Sequence, residues 1–209
     1  MRRVRSVDTE LEIEVIVVDD ASIDGTRDLV EGLEHSGEIK AFYLPRNQGK
    51  GAAVQRALQE ATGDILLIQD ADLEYDPEDF PRLLRPILTG RTKVVYGSRF
   101  LGEHKAMYFW HSVGNRLVTL LTNVLYDTTL TDMETGYKVV TADIMRRVRL
   151  TSPRWGFDPE ITAKILRTGN RIYEVPISYT GREFEEGKKI SWRDAFVVMA
   201  TLVRCRFLR

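Results

Sequence analysis

Cysteine is almost missing from this 209-residue chain: the single one, Cys205, stands between Arg204 and Arg206. One cysteine makes no internal disulfide and no thiolate metal site, so a reducing compartment is expected. Neither sign of charge prevails. The 30 Lys and Arg against 31 Asp and Glu leave a formal net charge of -1, which argues against nucleic-acid binding through a general positive field. Any phosphate binding then has to be local. Long apolar runs are absent too. The longest, 195–203 with one threonine, falls far short of the roughly 20 residues a bilayer crossing needs. The basic first residues carry no apolar stretch of a signal peptide. Together these absences point to a cytoplasmic protein, soluble or peripheral to a membrane.

What is present is a 43% apolar chain, enough to bury a core, and no linker that would separate independent units, so 1–209 is expected to be a single domain. In the first half, short apolar runs at 14–18, 41–44, 65–68 and 93–96 alternate with turns rich in Asp, Gly or Asn and then with helical patterns. Nearly continuous apolar strands are those covered on both faces, and the alternation predicts a parallel, doubly wound α/β sheet. Helices are expected through Leu29, Val30 and Leu33, and through Ala53, Val54, Ala57, Leu58 and Ala61. A third is expected from Asp76 and Pro77 through Phe80, Leu83, Leu84 and Ile87. In the second half Val113, Leu117, Leu120, Leu121, Val124 and Leu125 form one apolar stripe, and Asp158 and Pro159 open another helix. The extended 172–179, interrupted by Pro176, suits an edge strand, and Ser191 opens a last helix.

Chemistry concentrates where strands end. The run 65–68 leads into Gln69-Asp70-Ala71-Asp72-Leu73-Glu74, which puts Asp70 and Asp72 on one side of an extended segment at the edge where open α/β sheets hold ligands. Two carboxylates so close repel unless a cation lies between them. Mg²⁺ or Mn²⁺ with diphosphate oxygens would complete such a shell; an acidic turn before a helix is the plainer reading. The first run ends in Asp19-Asp20-Ala21-Ser22-Ile23-Asp24-Gly25-Thr26. Asp24 or Ser22 can cap the helix that follows, leaving a carboxylate able to accept from the imino N–H of uracil or guanine. The next leads into Arg46-Asn47-Gln48-Gly49-Lys50-Gly51, where glycines allow close approach and a helix N-terminus with Lys50 favours an anion, without P-loop spacing.

In order along the chain, Val17-Val18-Asp19-Asp20-Ala21-Ser22, Asn47-Gln48-Gly49-Lys50-Gly51, Asp70-Ala71-Asp72 and Gly97-Ser98-Arg99 resemble family 2 glycosyltransferases of the dolichol-phosphate mannose synthase type. The resemblance continues through Asp132-Met133-Glu134-Thr135-Gly136-Tyr137-Lys138 and Glu186-Gly187-Lys188-Lys189-Ile190-Ser191-Trp192-Arg193, nearly the whole chain. It implies a GT-A fold, Rossmann-like with a mainly parallel sheet, whose residues 1–100 bind a nucleotide sugar and whose residues 101–209 face the acceptor. It also implies an inverting hexosyltransferase using GDP-mannose or UDP-glucose and a polyprenyl phosphate, at the cytoplasmic membrane face. By the same resemblance Asp19, Asp20, Asn47, Gly49, Lys50, Asp70 and Ala71 hold the donor, and Asp70, Asp72 and Glu74 hold Mg²⁺ or Mn²⁺. Arg99, Arg116, Lys188 and Arg193 meet the acceptor phosphate, a task suited to always-charged, two-pronged guanidinium groups. Asp132, with Arg99 and Arg116, forms the catalytic set, as base or as orienting group. His104 and His111 read as loop or surface histidines.

The pattern departs from the family at its start. Members open with one more strand, central in the sheet, and a Pro-x-Tyr-Asn-Glu-like stretch, whereas this chain starts within what should be the following helix, near Arg2 to Val7. A form extended upstream by about one βα unit is expected to be more stable and more active. Two other readings stay open: a family 2 enzyme with a soluble saccharide acceptor, and a truncated nucleotide-binding module without catalysis. The stripe along 113–125 and the helix expected over 195–203 are too short to span a bilayer, but with Arg204, Arg206 and Arg209 they suit a helix lying in the interface.

Overall fold

The four apolar runs of the first half become strands β1 (Ile16–Asp19), β2 (Lys40–Tyr43), β3 (Ile65–Ile68) and β4 (Val94–Ser98). This computed structural model describes residues 1–181 and 192–208. Helices α1 (Arg2–Ser6), α2 (Thr26–His35), α3 (Lys50–Glu60) and α4 (Phe80–Leu88) surround these strands. The Asp76 side chain accepts from the Glu78 amide at 3.1 Å and starts a 3-10 turn, Pro77–Asp79, that feeds α4, as its Asp-Pro pair predicts. Beyond β4 come α5 (Phe109–Tyr126), β5 (Lys138–Thr141), α6 (Ala142–Met145), α7 (Phe157–Arg167), β6 (Tyr173–Pro176) and α8 (Trp192–Phe207). The Ser191 expected to cap α8 lies outside the described residues.

The strands form two ladders. β1 pairs with β2 in parallel, Ile16 opposite Lys40. The other four lie in the order β3-β5-β4-β6, with β5 antiparallel to both neighbours and β4 parallel to β6. So β3, β4 and β6 run one way and β5 against them. This reversed strand was not foreseen, because Lys138 breaks its apolar pattern. β6 lies at the edge, where a strand ending in Pro176 belongs.

Among the described residues β1 pairs only with β2, and β3 only with β5. Ile16, Val17 and Val18 of β1 and all four residues of β3 are correspondingly only half-buried, while Val94, Val95 and Tyr96 of β4 are fully buried. A strand paired on one side keeps an open edge. Across this division Glu14 accepts from the Thr62 amide at 2.9 Å and from Lys40 Nζ at 2.5 Å. Met1 packs with Val30, Ile39 and Ala41 on the β1–β2 side, whereas Val4 and Val7 pack with Phe80 and Leu83 on the other.

The single stripe expected on α5 is in fact divided. Val118 is buried, and Leu121 and Leu125 pack with Met133, Ala163, Val198 and Leu202 between α5, α7 and α8. Leu117, Leu120 and Val124 point outward, Val124 with 73% of its surface exposed. α5 is therefore apolar on both faces. α8 repeats the arrangement, with Val198, Leu202 and Cys205 inward and Phe196, Val197, Val203 and Phe207 outward. No helix among the described residues is long and apolar enough to cross a membrane.

Candidate active site

The carboxyl ends of β1 and β3 and the turn before α3 meet at one edge. Asp19 is buried there and faces inward: its carboxylate accepts from the Ser22 amide at 3.2 Å and from Arg27 Nε and Nη2 at 3.0 and 2.9 Å. Burial alone would raise its pKa, but these hydrogen bonds and the Arg27 charge outweigh it and hold Asp19 below the usual carboxylate range. Asp24 rather than Ser22 bonds to the start of α2, accepting from the Thr26 amide at 3.2 Å. Asp20 points the other way and accepts from the Gln48 and Gly49 amides at 2.6 and 2.7 Å, clamping the turn that opens α3. The Asn47 carbonyl in turn accepts from Arg154 Nη2 at 3.1 Å.

That turn needs glycine for two reasons. Gly49 adopts φ +92°, and a Cβ at Gly51 would lie 2.2 Å from the Ser152 carbonyl oxygen. The backbone of 152–154 therefore lies directly against the loop, and the Ala52 amide donates to the Pro153 carbonyl at 2.9 Å. Glu160 holds that segment: its carboxylate accepts from the Thr151 and Ser152 amides at 2.9 and 2.7 Å and from Lys164 Nζ at 2.6 Å.

Lys50 reaches across the edge to Asp70, with Nζ at 2.8 and 2.9 Å from its two carboxylate oxygens. Burial pulls the Lys50 ammonium down, but Asp158 and Asp70 more than offset it and keep its pKa above the ordinary lysine value. Ala71 is exposed. Asp72 accepts from the Glu74 amide at 3.3 Å, and the Glu74 carboxylate accepts from the Tyr179 hydroxyl at 3.2 Å. Among the described residues no three His, Cys, Asp or Glu side chains are gathered as a metal cluster. The hard oxygen donors of Asp70 and Asp72 fit Mg²⁺ or Mn²⁺ when phosphate oxygens fill the remaining positions.

Of the residues expected to meet the acceptor phosphate, Arg99 is held in a buried ion pair with Asp132. Arg99 donates from its amide, Nε and Nη2 to the two oxygens of Asp132, at 3.0, 2.7 and 2.7 Å. The guanidinium also lies over the Tyr179 ring, 5.3 Å from its centroid. Burial opposes the Arg99 charge, but Asp132 outweighs that penalty and holds its pKa well above the ordinary value. Glu174 on β6 fixes the Asp132 backbone, accepting from the Thr131 and Asp132 amides at 2.8 and 3.0 Å. Arg116 is exposed on α5, its guanidinium 5.4 Å from the centroid of Phe100, the neighbour of Arg99. His104 is exposed, its ring nitrogen 2.9 Å from the Gly102 carbonyl, and His111 meets the Tyr108 ring edge-on. Lys188 and the side chain of Arg193 lie outside the described residues.

Three charged groups here escaped the sequence reading. Lys138 on β5 is wholly buried and donates to Asp158 at 2.6 Å. Burial would raise Asp158, but Lys138 and Lys50 outweigh it and keep it below the ordinary carboxylate range. The signal for Lys138 was a lysine beside an apolar pair, Val139-Val140; Asp158 had been read only as the start of a helix. Glu134, between Asp132 and Gly136, is pushed up to about 8 by burial and by the nearby Asp158 charge. Its Oε1 is buried without a hydrogen-bond partner. It lies in the Asp132–Lys138 stretch that carries the family resemblance, but no pattern there marked it as a buried carboxyl.

Comparison with known proteins bears on this arrangement. Residues 1–149 match the domain described as Glycosyl transferase family 2. An undecaprenyl-phosphate mannosyltransferase of Micrococcus luteus is 33% identical over 187 residues, covering 85% of this chain and 76% of that one. The low-salt glycan biosynthesis hexosyltransferase Agl6 of Haloferax volcanii is 32% identical over 174 residues, covering 81% of this chain but only 41% of its own length. Among solved structures, glucosyl-3-phosphoglycerate synthase from Mycobacterium tuberculosis, in complex with Mn²⁺, uridine diphosphate and glucosyl-3-phosphoglycerate, matches with TM-score 0.69. That match covers 94% of this chain and 70% of the other at 21% identity, a likeness of fold.

Proposed function

The chain belongs to glycosyl transferase family 2, and on that premise we propose that it moves a hexose from GDP-mannose or UDP-glucose to a polyprenyl phosphate with inversion. The observation that carries the acceptor assignment is the outward apolar face of α5 and α8 beside Arg116. Trp110, Leu117 and Val124 on one helix and Phe196 and Phe207 on the other are exposed where an isolated soluble domain would rarely leave them. With Arg204 and Arg206 exposed at the end of α8, this face suits the interfacial region of an anionic bilayer, in which a polyprenyl chain also lies. The similarity to an undecaprenyl-phosphate mannosyltransferase supports the same acceptor class.

In this reading the donor diphosphate sits beside the Lys50 ammonium, whose charge favours an anion, while the Gln48, Gly49 and Ala52 amides of the turn that opens α3 serve Asp20 and Pro153. Asp20 keeps that turn in place through the Gln48 and Gly49 amides, and Asp19 is a support for α2 through Arg27. Asp70 and Asp72 would hold Mg²⁺ or Mn²⁺, which when bound supplies positive charge to the departing diphosphate. Arg116 meets the acceptor phosphate. That phosphate is already an anionic nucleophile, so its oxygen attacks the anomeric carbon in line as the bond to the nucleoside diphosphate breaks. Asp132 then acts as an orienting group, fixing Arg99 at the end of β4 rather than removing a proton.

The test is a donor screen with Mn²⁺ and a short polyprenyl phosphate, reading release of GDP or UDP. Activity is expected to vanish in EDTA. Arg116→Ala is expected to raise the KM for polyprenyl phosphate at least tenfold and leave that for nucleotide sugar near wild type. Anionic liposomes should sediment the protein, less so at high salt or with Arg204 and Arg206 replaced by Glu. Transfer to a soluble sugar with Arg116→Ala unimpaired and no liposome binding would overturn the polyprenyl assignment.

A further inference from the structure

Three cations, Lys50, Arg99 and Lys138, meet the carboxyl groups of Asp70, Asp132, Asp158 and Glu134 at the candidate donor and acceptor edges. Glu174, beside Asp132, is not paired with a cation among the described residues either, but accepts from the Thr131 and Asp132 amides. Three of the carboxylates are paired one to one: Lys50 with Asp70 at 2.8 Å, Arg99 with Asp132 at 2.7 Å and Lys138 with Asp158 at 2.6 Å. The fourth, Glu134, has no cation left. Its Oε1 is buried and lacks a hydrogen-bond partner. The charged groups that act on it are Asp158 from α7, Lys138 from β5, Arg99 from the end of β4 and Asp132 from its own loop. Both cations among these already serve another carboxylate. An ionised Glu134 would therefore place a further negative charge in a poorly solvated cluster whose nearby cations already serve other carboxylates.

A nucleoside diphosphate entering beside Lys50 adds still more negative charge to the same cluster. We propose that Glu134 is the proton-accepting group of the donor site: when the nucleoside diphosphate binds, Glu134 takes a proton from solvent, so that donor binding is coupled to proton uptake. The inference rests on the donor site proposed above. The raised pKa of about 8 agrees with it, because Glu134 is then protonated before binding below pH 7 and partly ionised near pH 8. Uptake is accordingly expected only on the alkaline side. Glu134 acts on the diphosphate through charge, as a positioning residue, and needs no direct contact with it.

Calorimetry of GDP and UDP binding with Mg²⁺, run in two buffers of different ionisation enthalpy, measures the protons taken up. At pH 8.0 the wild type should take up a few tenths of a proton per site, on the order of half, more than Glu134→Gln does. At pH 6.5 the two proteins should agree. The free nucleotide's own phosphate is fully ionised at pH 8, so the protons counted there go to the protein, and Glu134→Asp, which keeps a carboxyl at that place, should retain the uptake that Glu134→Gln loses. Binding with equal proton uptake in both proteins at pH 8.0 overturns this inference alone. GDP and UDP that bind neither protein overturn it together with the donor-site assignment.

Discussion

Replacing Asp132 by Asn removes one charge from the best-buried ion pair near the site while keeping the side-chain shape. Asp132 is fully buried and the Arg99 side chain only 10% exposed, so solvent does little to screen the pair. The three donors on the Asp132 oxygens lie at 3.0, 2.7 and 2.7 Å, and an Asn offers one acceptor oxygen and turns an NH₂ toward a guanidinium or an amide. The attraction of such a pair, about 4 kcal/mol at an effective dielectric of 20, is largely offset by its desolvation. Removing one partner leaves the desolvation of the other uncompensated, and the loss is about 3–5 kcal/mol. In a domain of this size each kcal/mol shifts the melting temperature by roughly 2–4 °C, so the expected fall is about 6–20 °C. Thermal melts and urea titrations with an unchanged m-value measure it. A cycle with Arg99→Met should show the double variant losing less than the sum of the single ones. Below the melting transition, turnover should fall with the affinity for nucleotide unchanged. A melting temperature within about 2 °C of wild type would refute the ion-pair reasoning, and an equal loss of nucleotide affinity would put Asp132 in the donor site.

The loop that opens α3 is supported by the backbone of 152–154 and, through it, by Glu160. Gly51→Ala places a Cβ 2.2 Å from the Ser152 carbonyl oxygen, a backbone atom that cannot yield cheaply, so a stability loss of about 1–3 kcal/mol and weaker nucleotide binding are expected. Gly63→Ala, whose nearest atom is 3.6 Å away, is the control, and equal behaviour of the two variants would count against close packing at the loop. Glu160 is lowered to about 2: burial raises it, but hydrogen bonds from Lys164, Thr151 and Ser152 outweigh that. Its folded pKa lies below its unfolded one, so its contribution is complete above about pH 4.5 and is lost as pH falls toward 2, at most about 3 kcal/mol. Glu160→Gln should flatten the acid limb of stability in that window, and an unchanged limb would dismiss the assignment.

The paired strands of the first half were legible because each is a short apolar run closed by Asp, Gly or Asn. The Asp76–Pro77 start of the 3-10 turn and the edge position of β6 followed from proline's fixed φ and missing amide. The four motifs that mark the family were equally plain, but the ion pair of Lys50 with Asp70 was not among their implications. β5 was hidden by Lys138, since a lysine within a strand pattern reads as a solvated position until a buried carboxylate is known to face it. The apolar stripe of α5 was read as one face because helical spacing reports which residues are apolar. It does not report which of them find a neighbour.

Local pattern thus determined the strands and helices of the first half, the order of the candidate ligand-binding turns and the family, because a turn's residues and a strand's composition act over a few positions. Tertiary structure alone decided which charges neutralise which. Arg99 and Asp132 are 33 residues apart, and Lys138 and Asp158 are 20 apart. Their pairing depends on the sheet order β3-β5-β4-β6 and on α7 lying behind it. The same packing turned Asp19 inward, aimed Glu74 at Tyr179 and left a Glu134 carboxyl oxygen buried without a hydrogen-bond partner. A charge's partner is set by the low-dielectric space it shares, and no spacing along the chain encodes that space.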